Sequence, residues 1–61
     1  MEHIGTTYAR GPDGRKHDIA VLRGMGYTVE MDGKLELTGA THSCAYAFIE
    51  REARKRGWTR C

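Results

Sequence analysis

Residues 27–39, "YTVEMDGKLELTG", constrain the fold more than any other stretch of the chain. Two short runs rich in apolar and β-branched residues flank Asp32-Gly33, a pair suited to reversing the chain because glycine enters the left-handed region without steric penalty. A β-hairpin is predicted here. Closing it with a two-residue turn pairs Met31 with Lys34 and Val29 with Glu36, which mixes apolar and charged side chains on one face. A three-residue loop, Met31-Asp32-Gly33 with Gly33 at the bulge position, instead pairs Glu30 with Lys34, Val29 with Leu35, Thr28 with Glu36 and Tyr27 with Leu37. The second register collects the apolar residues on one face, so it is the one predicted.

Upstream, residues 1–13 show a weak alternation of Ile4, Thr6 and Tyr8 and end in the turn-forming "GPDG" of residues 11–14, which reads as an arm or an edge strand. From Arg15 the pattern changes. Ile19, Leu22 and Met25 recur at helical spacing, with Asp13 and Asp18 as competing N-caps, and a short helix is predicted. Gly26 then takes the left-handed position after the helix and Tyr27 folds back on Leu22.

Downstream, Thr41 is the N-cap of a second helix, its hydroxyl accepting from the backbone N–H of Ser43 or Cys44. At 100° per residue, Cys44, Ala45, Tyr46, Phe48, Ile49 and Ala53 share an arc opposite Glu50, Arg51 and Arg54. Gly57 ends this helix and Trp58 folds back as an apolar anchor. The expectation is one small α+β domain: an N-terminal arm or edge strand over 1–13, then helix, hairpin and helix over 14–61. Its core is read as Ile19, Leu22, Met25, Tyr27, Val29, Leu35, Leu37, Ala45, Phe48 and Ile49.

Size weighs against catalysis, because a chain of 61 residues builds one small core and has little left for a dry, doubly supported pocket. No cofactor is implied. For metal, His3, His17, His42, Cys44 and Cys61 are the candidates, and none shows the CxxC or HxxxH spacing that converges on one ion. Cys44 gains some acidity from the helix N-terminus, but no base is placed by the local sequence, and a packing role outweighs a nucleophilic one. A helix of about 13 residues holds Cys44 and Cys61 ~20 Å apart, too far for a disulfide. Two free thiols point to a reducing compartment. With no apolar run near the ~20 residues of a membrane span and no signal-peptide pattern, a cytoplasmic protein without membrane contact is expected.

Charge is distributed more tellingly than its net value of +2 suggests. Residues 27–40 lean acidic and residues 50–61 basic. Two of the arginines have structural explanations, since Glu50–Arg54 and Glu52–Arg56 are i,i+4 pairs. What remains is a stripe of Arg51, Arg54 and Lys55 followed by Trp58 and Arg60, which are the candidate partner-binding residues. A small core and open hairpin edges favour association, with a larger partner or with a second copy. The expected function is a non-catalytic module that docks on a larger protein or nucleoprotein and blocks or bridges it. Chains of this size without enzyme motifs are common among phage and mobile-element inhibitors of host defence machinery, an association by size alone. The alternative is a nucleic-acid-binding protein whose basic helix follows phosphates while Trp58 stacks a base.

Overall fold

A computed structural model describes residues 2–60. Its elements are β1 (Glu2–Arg10), β2 (Lys16–Gly24), β3 (Gly26–Met31), β4 (Lys34–Ala40), α1 (His42–Lys55) and β5 (Thr59–Arg60). The strands form one antiparallel sheet in the order β4-β3-β2-β1-β5, and α1 packs on β3, β4 and β5 from one side. The class is α+β, as expected, but the order of elements is not the expected one.

The first predicted helix is a strand. Residues 16–24 alternate, with Ile19 and Val21 buried and paired to Met31 and Val29 of β3. Leu22 is half-buried on the far face and Met25 stands fully exposed at the hairpin tip, so neither joins the core assigned to them. A lone helix of about ten residues is marginal in water. A strand flanked on both sides gains two ladders and seats β-branched residues well. Asp13 accordingly caps a turn rather than a helix: its carboxylate accepts the Arg15 N–H (3.0 Å) while the Gly14 N–H donates to the Gly11 carbonyl (2.9 Å). Gly26 does adopt a positive φ (95°), but in the β2–β3 reversal, where only Met25 separates the paired Gly24 and Gly26.

The predicted hairpin forms, but it closes with the two-residue turn and not with the three-residue loop. Met31 pairs with Lys34 across Asp32-Gly33, whose φ values of 56° and 77° are those of a two-residue hairpin turn. Glu30 then faces Leu35. A bulge at Glu36 restores the inward pairing of Val29 with Leu37, and a second irregularity next to Gly39 (φ 69°) brings Tyr27 opposite Ala40. The mixed-face penalty is thus removed by an extra residue in one strand, not by a longer loop. Met31 becomes 1% exposed, whereas Leu35, expected inside, is 57% exposed on the far face.

The second helix is as predicted at both ends. The Thr41 hydroxyl accepts from the Cys44 N–H (3.2 Å). At the other end the Trp58 N–H donates to the Ala53 carbonyl (2.8 Å) and the Gly57 N–H to the Arg54 carbonyl (3.2 Å), with Gly57 at φ 73°: both bonds of a Schellman motif. Ala45, Ile49 and Ala53, one turn apart, are buried against the sheet, joining Ala9, Ile19, Val21, Val29 and Met31. Tyr27, Leu37, Ala40, Phe48 and Trp58 pack around this centre.

Candidate interaction surface

Helical geometry sets Arg51 one turn from Arg54 and Lys55, and all three are exposed on the side of α1 away from the sheet. Among the described residues, no carboxylate lies within ion-pair distance of any of them. Of the two i,i+4 pairs read from the sequence, Glu52–Arg56 forms (3.3 Å), and Arg56 also reaches Glu36 on the bulge of β4 (3.3 Å). The Glu50–Arg54 pair does not form, because Glu50 is taken by Arg60 of β5. Arg54 is thereby left free among the described residues, and Arg60 is removed from the stripe by its partner.

Trp58 is also drawn inward. His17 stacks on its ring with centroids 4.2 Å apart and planes 9° from parallel, and the Arg56 guanidinium lies 5.1 Å over the same ring. The five candidate residues therefore separate: Arg51, Arg54 and Lys55 share one exposed helix face, while Trp58 and Arg60 belong to the clasp between α1, β5 and the sheet.

Two clusters were not anticipated. In the first, His17 Nδ1 and Asp32 Oδ2 are 2.8 Å apart, and Asp32 Oδ1 accepts the Asp18 N–H (3.2 Å). Partial desolvation pushes the Asp32 carboxyl up, but the hydrogen bonds from His17 and Asp18 and the charge of His17 together hold it below its ordinary value. The cluster ties the β3–β4 turn to β2 and, through Trp58, to the helix end. The second lines a cleft of about 330 Å³ near the start of α1. There Arg23 binds Glu2 (2.7 Å) and stands opposite Tyr27 in the β2–β3 ladder, and His42 sets its ring edge-on to Tyr27 (5.3 Å) and against Tyr46 (4.7 Å). The Glu2 carboxylate, and then Tyr27, raise Arg23 above its already high pKa. That cation is satisfied internally, so the cleft offers little net charge to a ligand. The polar contacts that close them, His17–Asp32 and Glu2–Arg23, join residues 15 and 21 positions apart, and a local reading of the chain carries no signal for them.

Cys44 is exposed on the first turn of α1, while Cys61 and the distance between the two thiols lie outside the described residues. Among the described residues, no group of three His, Cys, Asp or Glu is placed to hold a metal ion, and no helix is long and apolar enough to cross a membrane. Comparison with protein-family models, curated proteins and solved structures finds no match to this chain.

Proposed function

We propose that the chain is a non-catalytic binding module whose α1 docks on an acidic surface of a larger protein or nucleoprotein and blocks or bridges it there. One observation carries this reading: Arg51, Arg54 and Lys55 cluster on one exposed helix face with no carboxylate partner among the described residues, whereas Arg15, Arg23, Arg56 and Arg60 are ion-paired, Arg10 donates to the Gly14 carbonyl, Lys16 lies over the Tyr8 ring, and Lys34 is a single cation at the β3–β4 turn. A helix face with its positive charge uncompensated in the free molecule gains the most from an acidic partner and steers the encounter. The nucleic-acid alternative loses its stacking platform, because His17 and Arg56 already cover the Trp58 ring. The extension to a phage or mobile-element inhibitor of host defence has chain length as its only support.

The test is affinity capture from the native cell with the wild-type chain and with Arg51→Gln/Arg54→Gln/Lys55→Gln. The expected result is a defined protein or nucleoprotein held by the wild type at moderate salt and lost from the triple variant at unchanged melting temperature. Recovery of nucleic acid alone would favour the alternative, and equal capture by both chains would remove α1 from the interface.

A further inference from the structure

Glu50 stands between two arginines and holds only one of them. Arg54 follows it by four residues on α1, the spacing that brings helix side chains together, while Arg60 approaches it from β5. The structure gives Glu50 to Arg60. At 100° per residue Glu50 borders the Arg54 side of the stripe, so its negative charge falls on the α1 face unless something outside that face neutralises it. Arg60 does so, and Arg51, Arg54 and Lys55 stay uncompensated among the described residues.

β5 is the shortest strand and the least firmly tied. It pairs with β1 through Ala9 and Arg10 alone, and the Glu50–Arg60 bridge that reinforces it is largely exposed on the glutamate side. The Arg60 Nε is buried without an acceptor among the described residues, an unmet hydrogen bond that counts against the docked position. Just upstream the chain is fixed, since the Trp58 N–H donates to the Ala53 carbonyl (2.8 Å) and the Trp58 ring stacks on His17. Thr59 and Arg60 are therefore free to leave β1 while the rest of the clasp stays in place.

We propose that β5 is a latch that sets the charge of the α1 face, an inference that rests on the reading of that face as the docking surface. With β5 on β1, Arg60 holds Glu50 and the three cations of the stripe are uncompensated. With β5 released, Glu50 turns to Arg54 by i,i+4 geometry and cancels one of the three. Arg60 is thus a positioning residue that acts on the stripe through Glu50. The coupling is reciprocal: an acidic partner on α1 favours the docked strand, and any change that frees the strand weakens the partner. A pair of this kind shifts a population about twofold, so the latch tunes the face rather than abolishing it.

Hydrogen exchange of the arginine guanidinium groups, followed by NMR on the free protein at low salt, tests the change of partner directly. Neither Glu50 nor Arg60 belongs to the buried core, so substitutions there spare the fold. The Arg54 guanidinium should exchange as a solvent-exposed group in the wild type, slow about twofold in Arg60→Gln, and return to the wild-type rate in Glu50→Gln/Arg60→Gln. An Arg54 rate that is the same in the wild type and in Arg60→Gln overturns the proposal. Binding of poly-L-glutamate at low salt supplies the second readout, through a double-mutant cycle. Arg54→Gln should weaken binding by the wild type and leave binding by Arg60→Gln almost unchanged, while adding Glu50→Gln to that background should restore the loss. Equal losses in every background would mean that the charges merely add, which overturns the latch. Saturating poly-L-glutamate should also slow amide exchange at Thr59 and Arg60, and unchanged β5 amides would break the link between strand and face. A wild type that does not bind poly-L-glutamate removes the docking reading instead, and the guanidinium exchange of the free protein then decides the latch alone.

Discussion

Gly26 and Gly33 both hold a positive φ, yet they sit in different surroundings. A Cβ on Gly33 meets nothing within 4 Å, so Gly33→Ala carries only the backbone penalty of the left-handed region, about 1–2 kcal/mol. A Cβ on Gly26 falls 2.9 Å from the Gly39 Cα, where two backbones approach, so Gly26→Ala adds overpacking of about 1–3 kcal/mol to the same strain. Urea unfolding should rank Gly26→Ala as the more damaging, and equal losses would contradict that close approach. Asp32 makes a different kind of prediction. Its folded carboxyl titrates below the ordinary 3.8, so its stabilising contribution is present above that value and is lost as pH falls through the lower folded one. Asparagine tolerates the same left-handed backbone but cannot ionise. The stability gap between wild type and Asp32→Asn should be open at about pH 5 and close with acidification, read from urea midpoints across the acid range. A gap that stays constant to the lowest pH would show that the carboxylate adds nothing to folding. The half-exposed position of Asp32 keeps the effect modest.

At the scale of elements, α1 was legible because its signals are local. Thr41, Gly57 and Trp58 each act within one turn of the helix end, and all three occupy the roles their residue types predict. The hairpin centre was legible for the same reason, since Asp32-Gly33 specifies a turn by itself. Its register was not, because the bulge at Glu36 is selected by the inward pairing of Val29 with Leu37 across the sheet. β2 was misread because Ile19, Leu22 and Met25 satisfy a helical period while Ile19 and Val21 satisfy a strand, and only the flanking β1 and β3 decide. The candidate stripe was legible as composition, but the rearrangement that gives Glu50 to Arg60 depends on β5, which no periodicity announces. The clasp at the helix end is the element-scale prediction. Trp58→Ala removes a half-buried aromatic stacked on His17 and should cost about 2 kcal/mol, below the range for full burial. Thr41→Ala should cost about 1 kcal/mol. Denaturant unfolding checks both, and Trp58 emission in the free protein should be blue-shifted relative to the unfolded chain. A solvent-like emission maximum in the folded state would place Trp58 outside the clasp.

The whole molecule, 35 Å long and 17 Å across, concentrates unpaired positive charge on α1. Arg51, Arg54 and Lys55 stand on its outer side, while on the opposite face of the sheet Asp18 and Glu30 are balanced by Arg10 and by Lys16, whose ammonium lies 4.2 Å over the Tyr8 ring. Replacing the three cations by glutamine changes the net charge from +2 to −1, because seven Lys and Arg then stand against eight Asp and Glu. None of the three is ion-paired within the described residues, so the melting temperature should change little. Binding to a random-sequence DNA duplex, measured over a salt series, then separates the two functional readings. A nucleic-acid grip predicts a steep wild-type slope of log affinity against log salt that flattens by about 0.9 for each phosphate the variant no longer neutralises. Docking on an acidic protein surface predicts that both chains bind DNA weakly, while association with the captured partner slows in the variant, most strongly at low salt. The second outcome is expected, because three exposed cations neutralise few phosphates and the only tryptophan of the chain is already stacked within the fold. A wild-type DNA affinity of micromolar or better at physiological salt, abolished in the variant, would transfer the function to nucleic acid.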